Sequence, residues 1–179
     1  MKKIKTKKLC VIAMLLAITV VLSYISGYLR IGMGIKLTIS FISVYLAAAL
    51  YGPFAGAFVG AMADVISCIV NPVGALIWQL TLIELCYGFM YGIFFSRKKD
   101  ACSIKNRYIK AVICSFIRFL SDVFIKTEIL SEAGFMPDDF WYAVTLRIPS
   151  CLAMMVLTAA AIMFFEKHYT DKFSEMVNK

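Results

Sequence analysis

Six apolar stretches, each 15 residues or longer and parted by short polar breaks, constrain this chain more than any other feature. They fall at about 9–28, 37–51, 53–70, 76–95, 108–130 and 140–165. In water, a chain of 179 residues that is 61% apolar and only 17% charged has too few polar groups to cover itself, since soluble domains are roughly half apolar and a quarter charged. In lipid the same pattern is natural, because each stretch closes its own backbone hydrogen bonds as a helix. The expected fold is therefore all-α: one compact membrane domain of six helices spanning 1–179. The second stretch is the shortest, so a tilted or re-entrant element is expected there.

The basic residues set the orientation. Five lysines occupy the first eight positions, six basic residues lie within 97–110, and three more follow the last stretch. With six crossings all of these fall on one side, which the positive-inside rule assigns to the cytoplasm. Both termini are then cytoplasmic, and a cell membrane crossed several times is the expected location. The opposite side receives "LRIGMGIK", "NPVG" and the acidic "SEAGFMPDDF". This placement explains the net charge of +8 as membrane flanking rather than nucleic-acid binding. The lysine-rich start before an apolar run also fits a signal peptide; five further apolar stretches favour a first helix that stays attached.

Small residues mark where helices approach closely, since lipid supplies no hydrophobic drive between them. Gly52, Gly56, Gly60 and Asp64 recur every four residues along the third stretch, and Gly88 and Gly92 repeat the spacing in the fourth. These predict a close crossing inside the chain. Ala13 and Ala17 make the same shallow groove in the first helix, open either to an internal neighbour or to another protein.

Ionisable groups inside the stretches are costly unless paired or wet. Arg118, Asp122 and Lys126, spaced by four, put alternating charges on one helix face, and Arg118 with Asp122 forms a candidate structural ion pair. Asp64, Glu84 and Arg147 add further charges, with Asp64 a candidate partner of Arg147 or Arg118. Several of these sit in the outer halves of their helices, as do Asn71, Trp78 and Gln79, which suggests an outward polar cavity. There Trp78 either stacks a planar ring or serves as an interfacial belt residue, Gln79 hydrogen-bonds, and Arg147 or Lys126 meets a carboxylate. In the loop at 30–36, Arg30 and Lys36 bracket Gly32 and Gly34: a lid with cationic edges, or a flexible turn.

Catalytic chemistry has little support. There is no phosphate-binding GxxxxGK[ST] loop, no HExxH and no GxSxG. A lone His168 and six scattered cysteines without a CxxC pair offer no metal centre or disulfide framework, and no cofactor is expected. An enzyme built on Asp64, Glu84 or Asp122 would lack both a nucleophile and a metal. A structural or regulatory subunit, with its outer charges spent on ion pairs, is the alternative from another class.

The combined pattern resembles the substrate-binding S components of energy-coupling factor (ECF) vitamin transporters, and among them the folate family. The resemblance rests on the basic start before Ala13 and Ala17, on "IKLTISFISVYLAAALYGPFAGAFVGAMADVI" at 35–66, on "NPVGALIWQLTLIELCYGFMYGIFF" and on "LRIPS". It implies a subunit that captures a vitamin at its outward end and joins a transmembrane coupling protein and two cytoplasmic ATPases. It implies that Ala13 and Ala17 face the coupling protein and that the gating loop falls on Arg30 to Lys36, with Gly32 and Gly34 in it, in a bacterial plasma membrane; Arg30, Lys36 and the outer polar residues Asp64, Asn71, Trp78, Gln79 and Arg147 are then the candidate ligand contacts. Folate is the favoured vitamin. Because "NPVGALIWQL" departs from the aromatic- and glycine-rich stretch of folate-family members, pantothenate or a pyrimidine precursor is the alternative.

Overall fold

Every long apolar stretch becomes a helix in the computed structural model, which describes residues 6–28, 30–31, 35–36, 39–70, 77–95, 104–134 and 139–168. The order is α1 (Thr6–Tyr28), β1 (Arg30–Ile31), β2 (Ile35–Lys36), α2 (Phe41–Tyr51), α3 (Pro53–Val70), α4 (Trp78–Phe95), α5 (Ile104–Val123), α6 (Ile125–Glu132) and α7 (Phe140–His168). By length and composition α1, over Lys8–Ser26, and α7 are each sufficient to cross a bilayer.

The structure refines the expected spans at three points. The second helix begins at Phe41 and has 11 residues, about 17 Å of rise against a hydrocarbon core of about 30 Å. Ahead of it, β1 and β2 pair antiparallel with Arg30 opposite Lys36 and Ile31 opposite Ile35. The fifth stretch is two helices, α5 and α6, parted at Phe124. Helical bonds nevertheless run through the break, from Phe124 N–H to Leu120 O at 3.0 Å and from Glu128 N–H to Phe124 O at 3.1 Å. The two segments act as one interrupted rod, so six rods make the bundle among the described residues.

The α2–α3 corner turns on one residue. Gly52 has φ 95° and ψ −176°, a conformation essentially reserved for glycine, and its N–H bonds Ala48 O at 2.9 Å. Pro53 then opens α3, where its missing N–H is harmless. The glycine stripes do what their spacing predicts. A Cβ added at Gly56 would stand 2.5 Å from both Ala48 Cβ and Gly88 O, and one at Gly60 would stand 2.7 Å from Glu84 O. Thus α3 and α4 touch backbone to backbone, with Gly88 against Gly56 and Gly92 against Pro53.

The alanine run of α2 fits the crowded centre. Ala47, Ala48 and Ala49 are fully buried with Tyr45, Val59, Tyr91, Ala111, Cys114 and Ile162. Tyr45 meets Tyr91 and Phe95 edge to face, with ring centroids 6.2 and 5.4 Å apart, an arrangement favoured by the ring quadrupoles.

Candidate functional site

The intramembrane charges of α4, α5 and α6 converge on one another. Glu84, Tyr87 and Tyr91 share a face of α4 because they are spaced by three and four. Arg118, Asp122 and Lys126 share a face across the α5–α6 junction. Lys126 Nζ lies 2.7 Å from Glu84 Oε1 and 2.9 Å from Asp122 Oδ1. Arg118 Nε lies 3.5 Å from Asp122 Oδ2. Tyr87 donates to Asp122 Oδ1 at 3.1 Å, and Arg118 donates to Tyr91 OH at 3.1 Å.

Aromatic rings finish the enclosure. The Arg118 guanidinium sits 5.5 Å from the Phe41 ring centroid and 5.1 Å from that of Tyr87, and Lys126 Nζ lies 5.0 Å from the same Tyr87 ring. Two carboxylates and two cations make a formally neutral cluster, the condition under which charge is tolerated away from water. The expected Arg118–Asp122 pair is present, within a larger network. Lys126 already holds two carboxylates, so it is a structural cation rather than a free anion receptor.

The other candidate ligand residues divide into two groups. Asp64 Oδ2 accepts from Thr81 at 2.7 Å, which ties the end of α3 to the start of α4. Arg147 NH1 donates to Thr127 Oγ1 at 3.1 Å, which ties α7 to α6. Asp64 and Arg147 thus anchor separate helix pairs. Trp78 is 64% exposed and Gln79 half-buried. Arg30 and Lys36 are paired through the backbone of β1–β2, and just ahead of α2 the Ile39 N–H donates to Ser26 Oγ of α1 at 3.2 Å. Gly32, Gly34 and Asn71 lie outside the described residues. Ala13 and Ala17 are exposed on α1, beside exposed Met14, Ile18 and Val21 and opposite buried Leu15 and Thr19.

Sequence reasoning missed the tyrosines and a second polar node. Tyr87 and Tyr91 each precede a stripe glycine in "YGFMYG", so the stripe that places Gly88 and Gly92 against α3 also turns them inward. Near the other end, buried Glu166 accepts a hydrogen bond from Tyr45 OH and pairs with Arg107 at 3.0 Å. Glu166 follows directly on an apolar run and reads in sequence as the start of a solvated tail.

One family model covers most of the chain, and one solved structure shares its fold. The family described as "ECF transporter, substrate-specific component" matches residues 7–165. Among solved structures, the crystal structure of FolT bound with folic acid is similar at a TM-score of 0.76 and 18% identity, over 94% of this chain and 96% of that one. No curated protein matches in sequence.

Proposed function

The chain belongs to the substrate-specific components of ECF transporters, and from that premise we propose that it is a vitamin-capture subunit with folate as its ligand. The family match across residues 7–165 carries the capture role. The likeness of fold to FolT bound with folic acid supports the choice of vitamin. In this reading the protein is a multi-pass subunit of a bacterial plasma membrane, with its termini in the cytoplasm. The ligand enters at the end that carries β1–β2, the C-terminal part of α3 and the starts of α4 and α7. Arg147, whose described partner is a neutral hydroxyl, keeps donors to spare and meets the ligand's carboxylate as a charge-assisted fork. Asp64, Asn71, Trp78 and Gln79 contact the ring, and the 30–36 loop, with Arg30, Gly32, Gly34 and Lys36, closes over it. A transmembrane coupling protein docks on the Ala13–Ala17 groove, and two ATPases supply the energy.

The test is a titration of the purified chain in detergent with folate, pantothenate and thiamine, followed by tryptophan fluorescence and calorimetry. Trp78 and Trp141 are 64% and 75% exposed, so both report on a ligand at their end. Saturable nanomolar to low-micromolar binding of folate is expected. Binding of another vitamin instead keeps the capture role and overturns the ligand. A folded protein that binds none overturns both.

A further inference from the structure

Among the described residues, three buried side-chain atoms lack a hydrogen-bond partner: Ser115 Oγ, Thr158 Oγ1 and Arg118 Nε. Ser115 and Thr158 are almost completely enclosed, at 1% and 0% exposure. A serine or threonine in a helix usually relieves such an atom by bonding the carbonyl four residues back, as Thr19 does to Leu15 at 2.6 Å and Ser67 does to Ala63 at 2.6 Å. Ser115 and Thr158 do not. An orphaned buried hydroxyl is destabilising, and more so away from water.

The register of α5 and α7 points the three atoms toward one seam. Helices α5 and α7 run antiparallel, with Arg107 against Glu166 near one end and the α6 residue Thr127 against Arg147 near the other. Four residues along α5 from Arg107 and four back along α7 from Glu166 bring Ala111 and Ile162 together, both in the main core. Carried eight residues in each direction, the register set by those two ties predicts Ser115 opposite Thr158. Arg118 is three residues beyond Ser115 and so lies on the same face of α5.

We propose that the α5–α7 seam holds one internal water, bonded by Ser115 Oγ, Thr158 Oγ1 and Arg118 Nε. Three partners match the number a buried water typically makes. The chemistry is complementary: the guanidinium only donates, whereas each hydroxyl both donates and accepts. The water accepts from Arg118 and connects the seam to the neutral charge cluster, because the Arg118 Nε contact to Asp122 at 3.5 Å is too long for a good hydrogen bond. An apolar ligand is excluded there, since it would leave all three atoms orphaned.

The test combines a structure with a mutant cycle. Crystals of the full chain that resolve ordered water should show one density peak within hydrogen-bonding distance of all three atoms. A direct Ser115–Thr158 bond with no peak overturns the proposal. Thermal melts in detergent give the second readout for Ser115→Ala, Thr158→Val and the pair. Each single change should lower the midpoint by about 2–4 °C, as expected for a loss near 1 kcal/mol in a protein of this size. The pair should fall by clearly less than the two losses together, because the second change no longer strands a group. Additive losses overturn the proposal. Both substitutions remove few atoms, and the melt itself reports whether each variant is folded.

Discussion

Two cations of similar sequence appearance do different work. Lys126 is clamped by Glu84 and Asp122, whereas Arg147 meets the hydroxyl of Thr127. Replacing Lys126 by Met removes the cation paired with Glu84 and leaves Asp122 with Arg118 and Tyr87, and breaking a buried pair in this way costs about 3–5 kcal/mol. Lys126→Met should therefore lower the melting midpoint steeply. Arg147→Ala should leave the midpoint within a few degrees and weaken folate binding at least tenfold. The two variants are separated by melting in detergent and by the ligand titration; unchanged affinity in Arg147→Ala would make Arg147 a helix tie only. Gly56 gives a sharper sign test. In a helix exposed to its surroundings, glycine to alanine stabilises by roughly 0.5–1 kcal/mol. Here the new methyl meets Ala48 Cβ and Gly88 O at 2.5 Å, so Gly56→Ala should destabilise, and a raised midpoint would mean that α3 and α4 are not in backbone contact.

Element by element, the spacing of residues in sequence carries most of this architecture. The glycines of α3 and α4 are legible because a four-residue repeat of small side chains lies on one helix face whatever surrounds it. The Arg118–Asp122 pair is legible for the same reason. What spacing does not carry is which faces meet across the bundle: Glu84 joins Lys126 from another helix, and Tyr45 reaches Glu166 from 121 positions away. The interruption at Phe124 also escapes the sequence, because the apolar run continues through it. The candidate ligand residues are the least legible, since no periodicity in the sequence groups them, and Gly32, Gly34 and Asn71 lie outside the described residues. For α1 the prediction is specific. Ala13 and Ala17 are exposed within the chain, so a bulky residue has room there in the isolated protein. Ala13→Trp or Ala17→Trp should leave folding and folate affinity unchanged and abolish uptake in cells that hold the complete transporter. Loss of binding together with uptake would instead place the groove against an internal neighbour.

At the scale of the whole molecule, the two ends of the bundle are built differently, and this asymmetry follows from charge. One end gathers the starts of α1 and α5 and the ends of α4 and α7, with Lys8, Arg107, Lys110 and Lys167 among its described basic residues, and the Arg107–Glu166–Tyr45 node braces α5, α7 and α2 inside it. The other end carries the β1–β2 ladder and the acidic residues Glu128, Glu132 and Asp139. A membrane with a negative cytoplasmic surface attracts the first end. If that end is cytoplasmic and the other captures the vitamin, binding and transport must separate cleanly. The chain contains no phosphate-binding loop, so it has no means of using ATP in the P-loop manner. Cells expressing this chain alone should therefore bind radiolabelled folate at their outer face in a saturable way, without ATP-dependent accumulation. Adding the coupling protein and both ATPases should convert that binding to uptake. In the same cells a reporter fused to the C-terminus should be active only as a cytoplasmic enzyme. A C-terminus found outside would invert the bundle and set the proposed ligand end against the cytoplasm. Uptake by the chain alone would require an energy source other than the ATPases, and would remove the division of labour on which the capture role depends.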